Sequence, residues 1–307
     1  MKNSISIISL ILLLFFLGCR KEITSIEKSA NKEISVITIP SSKGEIVKHA
    51  FYTLSYIEAN EQAEWVYYKL TSDMILGNQE RTEDFRIDST ITTGSADLSD
   101  YVGSGYDRGH LCPAADMAIS FNAMSESFYL SNISPQNESF NRGIWKTLES
   151  TVRNIAKNEK EIYVVTGPVF KNNKGVIGTN NVTVPGYFYK IVYAPSKEKM
   201  IGFVLPNETG TKEIRDYVVT IDSVEKLTSI DMFPQLTTDM QTKLEGKIDI
   251  NNWNLTPLED PTPTPDPTPN PTGCPTTANC GCSGKTKSVC PTDPCCQWIA
   301  GTGCKCK

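Results

Sequence analysis

Proline stands at every second position from Pro261 to Pro271. Its ring fixes one backbone dihedral and removes the amide hydrogen, so such a run neither joins a sheet nor continues a helix. It predicts an extended spacer of about 3.1 Å per residue, and residues 257–273 are assigned to this Pro/Thr-rich linker. Before it lies enough sequence for one domain of about 200 residues plus extras. After it, residues 274–307 carry eight of the ten cysteines: Cys274, Cys280, Cys282, Cys290, Cys295, Cys296, Cys304 and Cys306. So short a segment buries little apolar surface, and cross-links must hold it. The pairs Cys280/Cys282 and Cys304/Cys306 have a spacing that also suits zinc, but an exported chain favours disulfides. The pairing and the partner of this module stay open.

The N-terminus reads as a processing signal. Lys2 is followed by a mostly apolar run from Ile5 to Leu17 and by Leu17-Gly18-Cys19. The run is shorter than the roughly 20 residues that span a bilayer, and it has the layout of an export signal. A cysteine after a small residue at its end resembles a bacterial lipoprotein signal. Residues 1–18 would then be removed and Cys19 acylated, tethering an exported chain to a membrane; ordinary secretion is the alternative. The polar residues 19–44 are expected to be a flexible spacer. Net charge is −5, from 30 basic and 35 acidic residues. That argues against bulk attraction to nucleic acid, but not against a local basic patch.

Globular patterning runs over residues 45–256. Residues 50–56 and 65–70 have the aromatic and β-branched bias of strands, as do 161–166, 186–194 and 200–205. Gly167-Pro168 is expected to stop the third, and Pro195-Ser196-Lys197 to turn between the last two. Residues 222–228 read as a short helix. The clearest helix covers about 139–157, with an apolar stripe of Phe140, Ile144, Leu148, Val152 and Ile155. Asn141, Trp145, Glu149 and Arg153 form the neighbouring stripe, each one turn after the last.

Histidine is scarce: the chain holds only His49 and His110, so a three-histidine zinc site within it is impossible. No partner pattern surrounds His49, and it is assigned no role. His110 lies in Tyr106-Asp107-Arg108-Gly109-His110-Leu111-Cys112-Pro113, followed by Asn132, Gln136, Asn141, Glu149 and Arg153. This order suits phosphodiester hydrolysis around one metal ion. A neutral imidazole can accept a proton from water near pH 7, and arginines suit the charge on the phosphate oxygens. The Asn141 carbonyl is a hard ligand that leaves most of the shell of a magnesium ion to water. Cys112 would face the same side of a strand as His110, but nothing nearby suits a Cys–His nucleophile pair. It is expected to be a small buried side chain.

Asp107-Arg108-Gly109-His110, then Leu130-Ser131-Asn132-Ile133-Ser134-Pro135-Gln136, then Asn141, Trp145, Leu148-Glu149 and Arg153 together resemble the secreted bacterial DNA/RNA non-specific endonuclease family, with its ββα-metal (His-Me finger) site. Arg81 before Phe85 and Asp88, Val165-Thr166-Gly167-Pro168, Val184-Pro185-Gly186-Tyr187-Phe188-Tyr189-Lys190, and the Asp-x-x-Glu-x-x-Thr segment Asp222–Thr228 extend the likeness over about residues 45–240. The resemblance implies an α+β fold, a mainly antiparallel central sheet flanked by helices. It makes His110 the general base and Asn141 the one direct protein ligand to Mg²⁺, with Mn²⁺ a substitute. Glu149 would act in the ion's outer shell. Arg81, Arg108 and Arg153 would stabilise phosphate charge, with Arg86 a rival to Arg81. Asn132 would position substrate, and Asp107 and Gln136 would support the site from behind. DNA and RNA would be cut to 5′-phosphate and 3′-hydroxyl ends with little sequence preference, because backbone contact carries no base information. The rival reading is an inactive nuclease fold used as a surface binding module.

Overall fold

Strand side chains alternate between two faces, and the longest strands here are apolar on both. The computed structural model describes residues 39–258 and the backbone of residues 296–299 and 303–306. The expected leader with Cys19, the proline run and most of the expected cysteine module lie outside the described residues. The strands are β1 (Glu45–Lys48), β2 (Tyr52–Ile57), β3 (Gln62–Thr71), β4 (Asp107–His110), β5 (Ile133–Gln136), β6 (Glu161–Val169), β7 (Val176–Ile177), β8 (Val182–Thr183), β9 (Tyr187–Ala194), β10 (Lys199–Pro206) and β11 (Val218–Val219). Seven of them form one sheet in the order β1-β2-β3-β6-β9-β10-β11, every neighbouring pair antiparallel. β4 pairs only with β5, and β7 with β8. In the separate C-terminal unit, β12 (Cys296–Ile299) and β13 (Gly303–Cys306) form an antiparallel hairpin.

Among the described residues, five α-helices serve this framework: α1 (Leu98–Tyr101), α2 (Phe121–Glu126), α3 (Lys146–Glu159), α4 (Ile221–Thr228) and α5 (Thr238–Leu244). Ser120, Thr220 and Thr237 cap α2, α4 and α5 by accepting from backbone amides of the first turn, as short hydroxyl side chains do. Val66, Tyr68, Leu70, Ile162, Val164, Phe188 and Val192 face one core together with Leu148, Val152 and Ile155 of α3. Each such buried aliphatic of α3 contributes about 1.5–3 kcal/mol relative to exposure. Trp65, Val165, Tyr189, Ile191 and Tyr193 face the other core, which α4 and α5 cover with Ile221, Val224 and Leu244. The two periodicities read from sequence thus locate both layers.

Three expectations are corrected. The helix at 139–157 is not continuous: Phe140–Trp145 form a wide π turn with a kink at Gly143 (φ −107°, ψ −108°), and regular α geometry begins at Lys146. β6 does not stop at Gly167-Pro168 but runs to Val169. Its pairing with β3 ends at Thr166, while its pairing with β9 continues through Pro168, so the missing proline amide lies where no β3 carbonyl waits for it. Residues 39–44, expected to be spacer, are part of the fold. Trp65 Nε1 donates to the Ser41 carbonyl at 2.9 Å, and the Lys43 amide donates to Glu64 at 2.7 Å.

Candidate active site

The first layer of the site is the β4–β5 ladder, in which Asp107 opposes Gln136 and His110 opposes Ile133. Gly109 sits between them because a Cβ there would collide with the Gln136 side chain. The π turn and α3 are stitched to this ladder at two points. Asn141 Nδ2 donates to Asp107 Oδ2 at 2.9 Å, and Trp145 Nε1 donates to the His110 carbonyl at 3.4 Å. One helical turn on one side thus matches one short strand on the other, which gives a ββα unit. Arg142 doubles the grip, its guanidinium forking onto both Asp107 oxygens at 2.8 and 2.9 Å.

A cleft of about 500 Å³ opens beside this unit, lined by Arg81, Phe85, Tyr106, Asp107, Arg108, Asn141 and Arg142 among others. A larger groove of about 660 Å³ between Ile144, the 212–215 turn and the 250–257 segment contains none of the expected catalytic groups. The Asn141 amide nitrogen is committed to Asp107, which leaves its oxygen as the free acceptor of this cleft-lining side chain. Burial alone would raise the Asp107 carboxyl, but hydrogen bonds from Arg142 and Asn141, with the charges of Arg142 and Arg108, hold it below the usual carboxylate range.

His110 packs edge-on to Phe128 at 4.9 Å and tilted against Phe85 at 5.7 Å. Its Nε2 is buried and has no hydrogen-bond partner. Burial first, then the charges of Arg81 and Arg108, pull the imidazole down to about 3. The ring is therefore neutral at any working pH, with an unpaired nitrogen beside two guanidiniums. Arg108 lies over Phe85 at 4.2 Å and Arg81 over Phe128 at 5.1 Å. Arg81 also bridges to Glu83 at 2.7 Å, an exposed pair of the kind that contributes little to stability. The rival Arg86 is spent elsewhere: it bonds Asp84 at 2.7 Å and the Ser125 carbonyl at 2.8 Å, and stacks on Tyr129.

Behind the cleft lies a compact group of charges. Arg153, expected at a phosphate, is 8% exposed and pairs with Asp116 at 3.2 Å. Tyr68 donates to the other Asp116 oxygen at 2.9 Å. Lys190 of β9 is fully buried, with its ammonium 4.8 Å from the Trp145 ring and 3.4 Å from the Leu111 carbonyl. Burial pushes the Glu149 carboxyl up to about 7, against the pull of Lys190, Arg153 and Arg81 and with a further push from Asp116. The charge of Arg81 thus acts on both His110 and Glu149.

Two more expected roles change. Asn132 cannot reach a substrate: it is 0% exposed, and both ends of its amide are used. It accepts from the Cys112 amide at 2.9 Å and donates to the carbonyls of Cys112 at 2.9 Å and Ser127 at 2.8 Å. It clamps the chain just after His110. Gln136 is buried with neither amide atom paired, so it fills the space over Gly109 and makes no hydrogen bond to Asp107 or Asn141. Cys112 is a free, buried thiol whose ionisation burial opposes, so it is no nucleophile. His49 does have a partner: its Nε2 lies 3.0 Å from Asp88 Oδ2. Asp116 and Lys190 were assigned no role, although Lys190 closes the Val184–Lys190 motif. An acid six residues after His110, and a lysine in an otherwise apolar strand, were the available signals.

Comparison with known proteins converges on one group. The family model described as DNA/RNA non-specific endonuclease matches residues 30–239. A nuclease of Nostoc sp. is 34% identical over 212 residues, 64% of this chain and 76% of that protein. The human mitochondrial nuclease EXOG is 35% identical over 205 residues, 60% of this chain and 56% of that protein, so the match spans less than two thirds of its length. A crystal structure titled as the EndoG/EndoGI complex superposes with a TM-score of 0.61 at 33% identity, over 66% of this chain and 91% of that one.

Proposed function

Because the chain belongs to the DNA/RNA non-specific endonuclease family and is a nuclease, we propose that it is a magnesium-dependent endonuclease. It would hydrolyse phosphodiester bonds of both DNA and RNA to 5′-phosphate and 3′-hydroxyl ends, with His110 as general base. The observation that carries this reading is an unpartnered, neutral His110 nitrogen on β4, joined to the π turn that carries Asn141 by the bonds from Asn141 to Asp107 and from Trp145 to the His110 carbonyl, with Arg81 and Arg108 lining the adjoining cleft.

His110 takes the proton of the attacking water. Arg81 and Arg108 hold the nonbridging oxygens, and the phosphate they hold cancels the positive charge that depresses the imidazole, which restores its basicity. Asn141 would hold the ion through its amide oxygen, and Glu149 would act on its outer shell. When bound, a divalent ion supplies the positive charge that neutralises the leaving oxygen. Arg153 acts one step back, holding Asp116 and opposing the rise of the Glu149 carboxyl through its charge.

The test is purified protein without its leader, incubated with plasmid and with RNA. Magnesium-dependent loss of both, stopped by EDTA, is expected. His110→Ala should lower turnover by about 10²-fold or more with an unchanged circular dichroism spectrum. Undiminished cleavage by that variant removes His110 from the mechanism.

A further inference from the structure

On the face of the sheet away from the cleft, three acids point at one another. Asp222 and Glu225 lie one turn apart on α4, and Glu245 follows α5 directly. One oxygen from each lies within 4.8 Å of the others. The backbone already joins the two segments, since the Asp222 amide donates to the Glu245 carbonyl at 3.3 Å. Glu225 is oriented by accepting from the Met232 amide at 2.8 Å.

The telling member is Glu245. It is 4% exposed, and its Oε1 has no hydrogen-bond partner. A buried carboxylate oxygen is costly unless something pairs with it. The charges acting on it offer no relief, because they come from Glu225, Asp231 and Asp222, all acids. Together with burial they push its carboxyl up to about 8, and Glu225 is raised for the same reasons. Asp222 is exposed, so the group has an open side.

An oxygen-only, acid-rich cluster of this kind suits a hard cation. Calcium takes ligands at about 2.3–2.6 Å, so two oxygens in one shell lie no more than about 5 Å apart. The three oxygens lie within 4.8 Å of one another, inside that limit. Magnesium demands near-ideal octahedral placement and is usually held through one or two carboxylates, not three. We propose that Asp222, Glu225 and Glu245 form a structural calcium site that ties α4 to the end of α5, separate from the catalytic ion. Water completes the shell on the Asp222 side.

The experiment uses the full chain stripped with EDTA, in an Asn141→Ala background so that the cleft does not contribute. Calcium is expected to raise the melting temperature by about 5–10 °C at a hundredfold excess over its Kd, and equilibrium dialysis should find this ion retained. Asp222→Asn, at an exposed position that does not threaten folding, should weaken calcium binding by about tenfold or more. Glu245→Gln should abolish it. In the wild-type background, neither change should alter magnesium-dependent cleavage. Calcium binding as strong in both variants as in their parent, or no calcium binding at all, overturns the proposal. A magnesium shift as large as the calcium shift overturns the choice of ion.

Discussion

Two groups of acids lie on opposite faces of the same sheet, and they are balanced differently. Behind the cleft, Asp116 and Glu149 are interleaved with Arg153 and Lys190. On the far face, the charges acting on Glu245 all come from acids, Glu225, Asp231 and Asp222. Low dielectric makes both groups costly unless compensated. The first is compensated by the protein's own cations, so it stays rigid before any substrate arrives. The second leaves its compensation to a partner from solution. Near-neutral balance in one place and net charge in another mark which acids serve as scaffold and which as ligands.

The sharpest break in that contrast is Asp116→Ala. It leaves Arg153 buried without its counter-charge and Tyr68 without its acceptor, and should cost about 3–5 kcal/mol in denaturant unfolding. A loss below about 1 kcal/mol would show that the cleft-side charges do not depend on one another. Lys190→Met should do less to stability, about 1–3 kcal/mol, but it removes the foremost cation acting on Glu149. The Glu149 carboxyl, already near 7, should rise further, so the acid limb of the pH–activity profile moves to higher pH. An unmoved limb would separate Lys190 from Glu149. The smallest effect has the opposite sign. Glu245 binds its proton more tightly folded than unfolded, so its contribution is full below about pH 4.5 and is lost as pH rises through about 8. In EDTA, Glu245→Gln should therefore be more stable than wild type at pH 8, by on the order of 1 kcal/mol after allowance for solvent screening, and should show no gain at pH 4.5. A loss at pH 8 would break the comparison.

What the sequence disclosed follows from which interactions are local. β6, β9 and β10 were visible because Val, Ile and Tyr repeat along them, and α3 because Leu148, Val152 and Ile155 recur at helical spacing. His110, Asp107 and Asn141 were visible because their order is itself distinctive. Direction of hydrogen bonding was not. Nothing in the letters at 132 or 153 says whether an amide or a guanidinium spends its donors on backbone, on a carboxylate or on a phosphate. Asp116 and Arg153 are 37 residues apart, and His49 and Asp88 are 39 apart. Such pairs exist only once the sheet brings them together. Glu245 was hidden for the same reason, since no periodicity links it to the helix that holds Asp222.

The bond from Asn141 to Asp107 has a consequence for which amino acid can stand at 141. Asp107 offers an acceptor and therefore asks its neighbour for a hydrogen, while the cleft asks the same side chain for a bare oxygen. Only a group that is donor at one end and acceptor at the other answers both demands. An aspartate there would set carboxylate against carboxylate, and an alanine would answer neither. Asp107 touches no reacting atom, yet it dictates the letter at 141.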